Sequence, residues 1–164
     1  WFKVCHEWLS PFTASHISNP AYMGADEVVT GNFLRQQLGY AWSGLYIADG
    51  VQMAQNPYCN MWEKTAVYSS IRYCNTFLEM VGNVYNMTDE EKVLWSAEIK
   101  ALKAHYYFEL LRHYGPFVIV AKNVAPNADI SDMKKPRSPF DVCVEEIVSL
   151  LETRELKVCD FIQA

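Results

Sequence analysis

The sequence predicts an all-α protein of stacked antiparallel helical hairpins with long irregular loops, and three observations lead there. Two long segments, 58–81 and 89–114, carry apolar residues on two sides of a helix, where a closed four-helix bundle needs one stripe per helix. The turn that joins them is short. Ala104, Phe108 and Pro116 fall on the A-x-x-x-F and terminal Pro spacing of tetratricopeptide hairpins, although the W-x-x-L-G-x-x-Y half is absent.

Taken along the chain, residues 10–56 differ in kind from the rest. Gly, Asn, Ser and Asp interleave with aromatics in SPFTASHISNPAYMGADE and LGYAWSGLYIADGVQMAQN, a loop-rich composition with room for a short helix near 26–36. NPYCNMWEKTAVYSSIRYCNTFLEMVGN then predicts a helix over 58–81, with Pro57 suited to a first turn and Gly82-Asn83 to an exit. Trp62, Ala66, Ser69, Tyr73, Phe77 and Met80 line one side of it, and Val67, Ile71, Cys74 and Leu78 the other.

The clearest element follows. Thr88 and Glu91 form a T-x-x-E capping box, acidic residues fill the first turn, and Gly115-Pro116 stops a helix over 89–114. Val93, Ala97, Ala101, Ala104, Phe108 and Leu111 share one face, and Trp95, Ile99, Leu102, Tyr106 and Leu110 another, so two packing partners are expected with charges confined to the remaining sectors. PFVIVAKNVAP, residues 116–126, is too short for a helix and reads as a β-edge or an extended crossover, followed by a polar loop to Arg137. A last helix starts at SPFD with Ser138 as cap and Pro139 at the first position. Its single stripe is Phe140, Cys143, Val144, Ile147 and Leu151, after which the pattern fades.

Composition narrows the function classes. With 164 residues, 51% of them hydrophobic, and 5 Trp, 10 Tyr and 8 Phe, the chain buries enough surface to offset its ordering entropy. A net charge of -5 with mixed signs argues against nucleic acid, whose binders cluster positive charge. No apolar run reaches the roughly 18 residues of a membrane span. The chain opens on Trp1, within WFKVCHEW, with no basic n-region, h-region or cleavage site, so a start further upstream is expected. Five cysteines without a C-x-x-C pair indicate neither a zinc ribbon nor a complete disulfide framework, and Cys74 and Cys143 read as small buried hydrophobes.

Three ordered stretches carry a resemblance. AEIKALKAHYYFELLRHYGPFVIV is similar to the AEAKFLRAYYYFELVRLYGGVPLI-type segment of the SusD/RagB family. NPYCNMWEKTAVYSSIRYCNTFLE resembles the family's preceding W-x(n)-Y-x-x-I-R-x-C-N-x-F-L-E helix, and PRSPFDVCVEEIVSLL resembles its PRSPYDECVDFIVKDL helix. The match spans residues 57–151, with AYMGADE and WSGLYIADG fitting more loosely. Lys103 stands where the family usually has Arg, His105 where it favours Tyr, and ETRELKVCDFIQA departs from what normally follows.

The resemblance implies a SusD-like, TPR-like helical domain truncated at both ends: a loop-rich region over 1–56, helices over 57–151 and an atypical tail over 152–164. It further implies a surface-exposed outer-membrane lipoprotein, its lipid anchor outside this chain. Such a protein captures oligosaccharide or another nutrient for a SusC-like TonB-dependent transporter, with no catalysis and no cofactor. The alternative is a TPR-like adaptor that grips a peptide in a groove. That reading needs cationic or amide residues along one inner face, whereas Lys100, Lys103 and Arg112 spread over a wide arc.

Sugar binding in water uses flat aromatic faces against the apolar face of a pyranose, and amides and carboxylates for its hydroxyls. The loop Tyr40–Asn56 offers that mixture: Trp42 and Tyr46 to stack, Asp49, Gln52 and Asn56 to hydrogen-bond. The competing reading is that these aromatics pack the loop onto helices. His105, Glu109 and His113, with Glu98 nearby, form a possible metal face. The two histidines lie about 12 Å apart along the axis, however, which is too far for one ion, and His113 suits the helix dipole. Cys5-His6-Glu7 has no orienting motif around it, and G-x-S-x-G, H-E-x-x-H, P-loop and Rossmann patterns are absent. Tyr106, Tyr107 and Tyr114 read as core and interhelical hydrogen bonding.

Overall fold

The capping box at Thr88 sets the register of the longest helix. In the computed structural model the Thr88 hydroxyl accepts from the Glu91 N–H at 3.2 Å, and the Glu91 carboxylate accepts from the Thr88 N–H at 2.8 Å. The structure describes residues 24–26, 29, 31–33, 36, 45–51, 53, 55, 67–125 and 127–162; the side chains of 45, 46, 132 and 153–162 are outside that description. The chain divides into two compact units, Glu7–Glu63 in one and Trp1–His6 with Lys64–Ala164 in the other.

In the first unit residues 32, 33 and 36 are helical, within the region where a short helix was expected, and Leu45–Ala48 forms a one-turn helix, α1. In the second, α2 (Val67–Met80) passes through a 3-10 turn, Val81–Asn83, into α3 (Asp89–Tyr114); a short α4 (Ile130–Met133) precedes α5 (Phe140–Ile162). Among the described residues the long elements are helices and no β-sheet forms, as the sequence predicts.

α3 has the predicted bounds. It ends because Gly115 takes φ 71, ψ -150, a conformation open to glycine, while its N–H donates to the Leu111 carbonyl at 3.0 Å. It packs against both α2 and α5, the two partners expected of it. The buried arc nevertheless differs from the one drawn from periodicity. Ile99, Leu102, Tyr106 and Leu110 are buried, as are Ala97 and Ala104, but Val93 and Phe108 at the edge of the alanine face are 38% and 48% exposed. The arc closes across the sector holding Lys103 and Tyr107, both buried, so charge is not confined to outer sectors. The physical reason lies in the crossover that lands there.

That crossover, residues 117–120, is extended, and side chains rather than a partner strand bond the backbone groups of Val118 and Val120. The Tyr68 hydroxyl accepts from the Val118 N–H at 3.0 Å and donates to the Val118 carbonyl at 3.2 Å. The Tyr107 hydroxyl does the same for Val120, at 2.9 and 3.2 Å. Further along, Asn123 donates to the Thr76 hydroxyl at 2.9 Å and the Arg72 carbonyl at 3.1 Å. The segment therefore climbs α2 from Tyr68 to Thr76, and on α3 it meets Tyr107 before Lys103. Only an antiparallel α2–α3 hairpin has that order.

α2 accordingly buries Val67, Ile71 and Cys74 toward the core. Ser69, Tyr73 and Phe77 on its other predicted stripe are half-buried and Met80 is 57% exposed; Trp62 and Ala66 lie outside the described residues, as does the predicted stretch 58–66. Phe117 joins the layers. It is fully buried, stacks on Tyr107 with centroids 4.6 Å apart, and its carbonyl accepts from the Ser138 N–H at 2.9 Å at the foot of α5.

α5 starts one residue later than predicted, its first helical bond running from the Cys143 N–H to the Pro139 carbonyl. Cys143 and Ile147 are buried against α3, while Phe140, Val144 and Leu151 of the predicted stripe are 55%, 36% and 41% exposed. The helix also runs on past Leu151 to Ile162, because ETRELKVCDFI contains neither Gly nor Pro and is rich in helix formers even where the apolar pattern fades.

Candidate functional site

The described residues of the predicted binding loop include one tight turn. The Gly50 N–H donates to the Ile47 carbonyl at 3.1 Å with Gly50 at φ 65, so the chain leaves α1 sharply after Asp49. Tyr46 lies in α1 and Asp49 in the turn directly behind it, three residues on, with Asp49 half-buried. These two of the five candidates are brought within one turn of backbone. Trp42, Gln52 and Asn56 lie outside the described residues. Among the described residues of the loop, the apolar Ile47 and Met53 are 43% and 59% exposed.

The other candidates resolve into local roles. On α3 the Glu109 carboxylate accepts from Arg112 at 2.7 Å, and the His113 Nδ1 lies 2.9 Å from the Glu109 carbonyl, a contact at the helix end. His105 sits exposed. Among the described residues no group of three His, Cys, Asp or Glu side chains converges to hold a metal ion. Cys5, His6 and Glu7 are outside the description. Cys74 and Cys143 are buried free thiols, as read from the sequence, and the Cys143 thiol lies 3.7 Å from the Phe117 carbonyl and 3.6 Å from that of Ser138. Lys100 is half-buried, Lys103 buried and Arg112 exposed and paired, so these three cations line no common groove.

Periodicity passed over the buried polar clamp of the helical unit. The Val120 carbonyl accepts from Tyr107 at 3.2 Å, Lys103 Nζ at 3.1 Å and Asn75 Nδ2 at 3.0 Å. The Lys103 ammonium also lies 5.6 Å from the Tyr107 ring centroid. Burial pulls the Lys103 pKa below its ordinary value, with Glu146 and Cys74 acting in the opposite sense. Burial likewise pushes the Tyr107 and Tyr68 hydroxyls up, against the lowering effect of their hydrogen bonds to Val120 and Val118. A signal was present in the sequence: V-I-V after Pro116 has no partner strand, so its backbone groups had to find side chains.

Fold and site together define a helical unit of stacked hairpins and a separate loop unit whose described residues include exposed apolar side chains. The chain matches, over residues 8–160, the family described as SusD-like, starch-binding and associating with the outer membrane, and it belongs to that family. Among solved structures it is similar to a SusD-like protein from Bacteroides fragilis, with TM-score 0.60 and 24% identity over 75% of this chain and 23% of that one. It is also similar to the protein BT4246, with TM-score 0.52 and 32% identity over 56% of this chain and 15% of that one. The chain thus spans under a quarter of either structure's length. No curated protein matches it.

Proposed function

We propose that this chain belongs to a glycan-capturing component of an outer-membrane uptake system. In this reading it presents oligosaccharide to a SusC-like TonB-dependent transporter and does not transform it. The observation that carries the proposal is membership, over residues 8–160, of a family described as starch-binding and associated with the outer membrane. A surface-exposed lipoprotein fits that role, because capture has to precede passage through the transporter.

The binding loop is Tyr40–Asn56. Trp42 and Tyr46 offer aromatic faces to the C–H face of a pyranose, and Asp49, Gln52 and Asn56 hydrogen-bond its hydroxyls. No step of bond making or breaking is assigned to these residues.

Titration of the protein with maltoheptaose by calorimetry tests the proposal, with Trp42→Ala as control. Saturable binding that weakens about tenfold or more in Trp42→Ala, the loss of one stacked ring, is the expected result. Binding unchanged by Trp42→Ala removes this loop from the site. Absence of binding to maltoheptaose and to a panel of other glycans overturns the proposed function.

A further inference from the structure

Between the crossover and α5 the chain makes a loop that is closed at its base. The Ser138 N–H donates to the Phe117 carbonyl at 2.9 Å, which pins the two ends of the loop together within the helical unit. Along it, the single turn of α4 is held by the Lys134 N–H, which donates to the Ile130 carbonyl at 3.1 Å. At 100° per residue Ile130, Met133 and Lys134 share one side of that turn, and position 132 falls on the other. Ile130 is 67% exposed and Met133 53%.

Lys134, Lys135 and Arg137 follow in the chain, all exposed, and Phe140 just beyond them is 55% exposed. Lys134 and Lys135 make no ion pair among the described residues. Residues 130–140 therefore set three cations among three large apolar side chains, against a single acid, Asp132, with Asp129 and Asp141 standing outside at the two ends. The chain as a whole carries a net charge of -5, so this segment reverses its sign locally. The exposed apolar face of α5 further along, at Val144, Val148 and Leu151, lacks that feature, since the exposed charges beside it are Glu145 and Glu152.

We infer that residues 130–140 form a docking surface for the phosphate-bearing headgroups of an anionic lipid bilayer. Ile130, Met133 and Phe140 enter the boundary between headgroups and acyl chains, while Lys134, Lys135 and Arg137 stay at the level of the phosphates, their aliphatic stems lying along apolar surface. Charge complementarity sets the sign of the partner, and residue type sets its class. Two of the three cations are lysines, point charges that any phosphate of a laterally mobile array can meet. Protein interfaces are depleted in lysine and favour the fixed fork of arginine. The contact is peripheral, for no helix among the described residues is long and apolar enough to cross a membrane. It uses none of the Tyr40–Asn56 residues and stands apart from the glycan reading.

Co-sedimentation of the chain with vesicles tests the inference. Binding is expected to vesicles of phosphatidylcholine with about a quarter phosphatidylglycerol and not to phosphatidylcholine alone, and to fall as salt is raised. Lys134→Gln/Lys135→Gln is expected to weaken it roughly 25-fold, about fivefold per cation. Ile130→Ser/Met133→Ser is expected to weaken it about tenfold or more, through lost apolar insertion. Both pairs are exposed and are expected to leave the thermal melt unchanged. No binding to the anionic vesicles, equal binding to the neutral ones, or indifference to either pair of substitutions overturns the inference. So does binding lost with the lysines alone and displaced by polyglutamate, which assigns the surface to an acidic protein instead.

Discussion

Tyr107 does three things at one position. Its ring stacks on Phe117, its face receives the Lys103 ammonium, and its hydroxyl straddles the N–H and carbonyl of Val120. Tyr107→Phe keeps the first two and strands a backbone N–H, so denaturant melts are expected to show a loss of about 1–3 kcal/mol. The same hydroxyl sets an alkaline limit. The folded pKa of Tyr107 and of Tyr68 lies above the ordinary 10.0, so the folded state keeps protons that the unfolded chain releases. Stability from these groups is full below pH 10 and falls as pH rises above it. Lys103 works in the opposite sense below its ordinary 10.5, since the unfolded chain holds that proton more tightly. Thermal melts of Tyr68→Phe/Tyr107→Phe between pH 9 and about 11.5 are expected to lose stability less steeply than wild type; an equal slope would count against the assignment.

At the scale of elements, the first turn of α3 and the seam of α5 separate local from tertiary stabilisation. Thr88→Ala removes the reciprocal hydrogen bonds of the capping box and is expected to cost about 1 kcal/mol in a denaturant melt. Ile147→Ala, on the buried seam of α5, is expected to cost about 2–5 kcal/mol, whereas Phe140→Ser on the 55% exposed side should stay near 0.5 kcal/mol. Equal costs for the two would contradict the burial pattern. The α3 bounds were legible because a capping box and a Gly-Pro stop are local chemistry. The exposed half of the α5 stripe was not legible, because periodicity reports which residues are apolar and not which of them a neighbouring helix covers.

For the whole molecule, the proposed ligand class carries its own signature. Stacking and neutral hydrogen bonding do not release counterions, so maltoheptaose affinity is expected to change less than about twofold between 50 and 500 mM NaCl. A steep salt dependence in the same titration would point to an ionic ligand instead. Of the five candidate site residues, Tyr46 and Asp49 fall within one turn of each other, which sequence spacing alone already implied. The Val120 clamp shows the converse case. Tyr68, Asn75, Lys103 and Tyr107 are spread over two helices and share no motif, and they meet only because one crossover runs between those helices.

The sequence by itself determined the helical class, the α3 boundaries, the two partners of α3 and the kinship of three ordered motifs, because caps, stops and 3.6-residue periodicity act over a few residues. Only the tertiary structure decided that Lys103 is interior, that Phe108 and Phe140 face outward, and that side-chain hydroxyls rather than a strand bond the backbone of Val118 and Val120. Those outcomes depend on contacts across 13 to 50 residues of chain, where a hydrogen bond forms only once packing has set the distance.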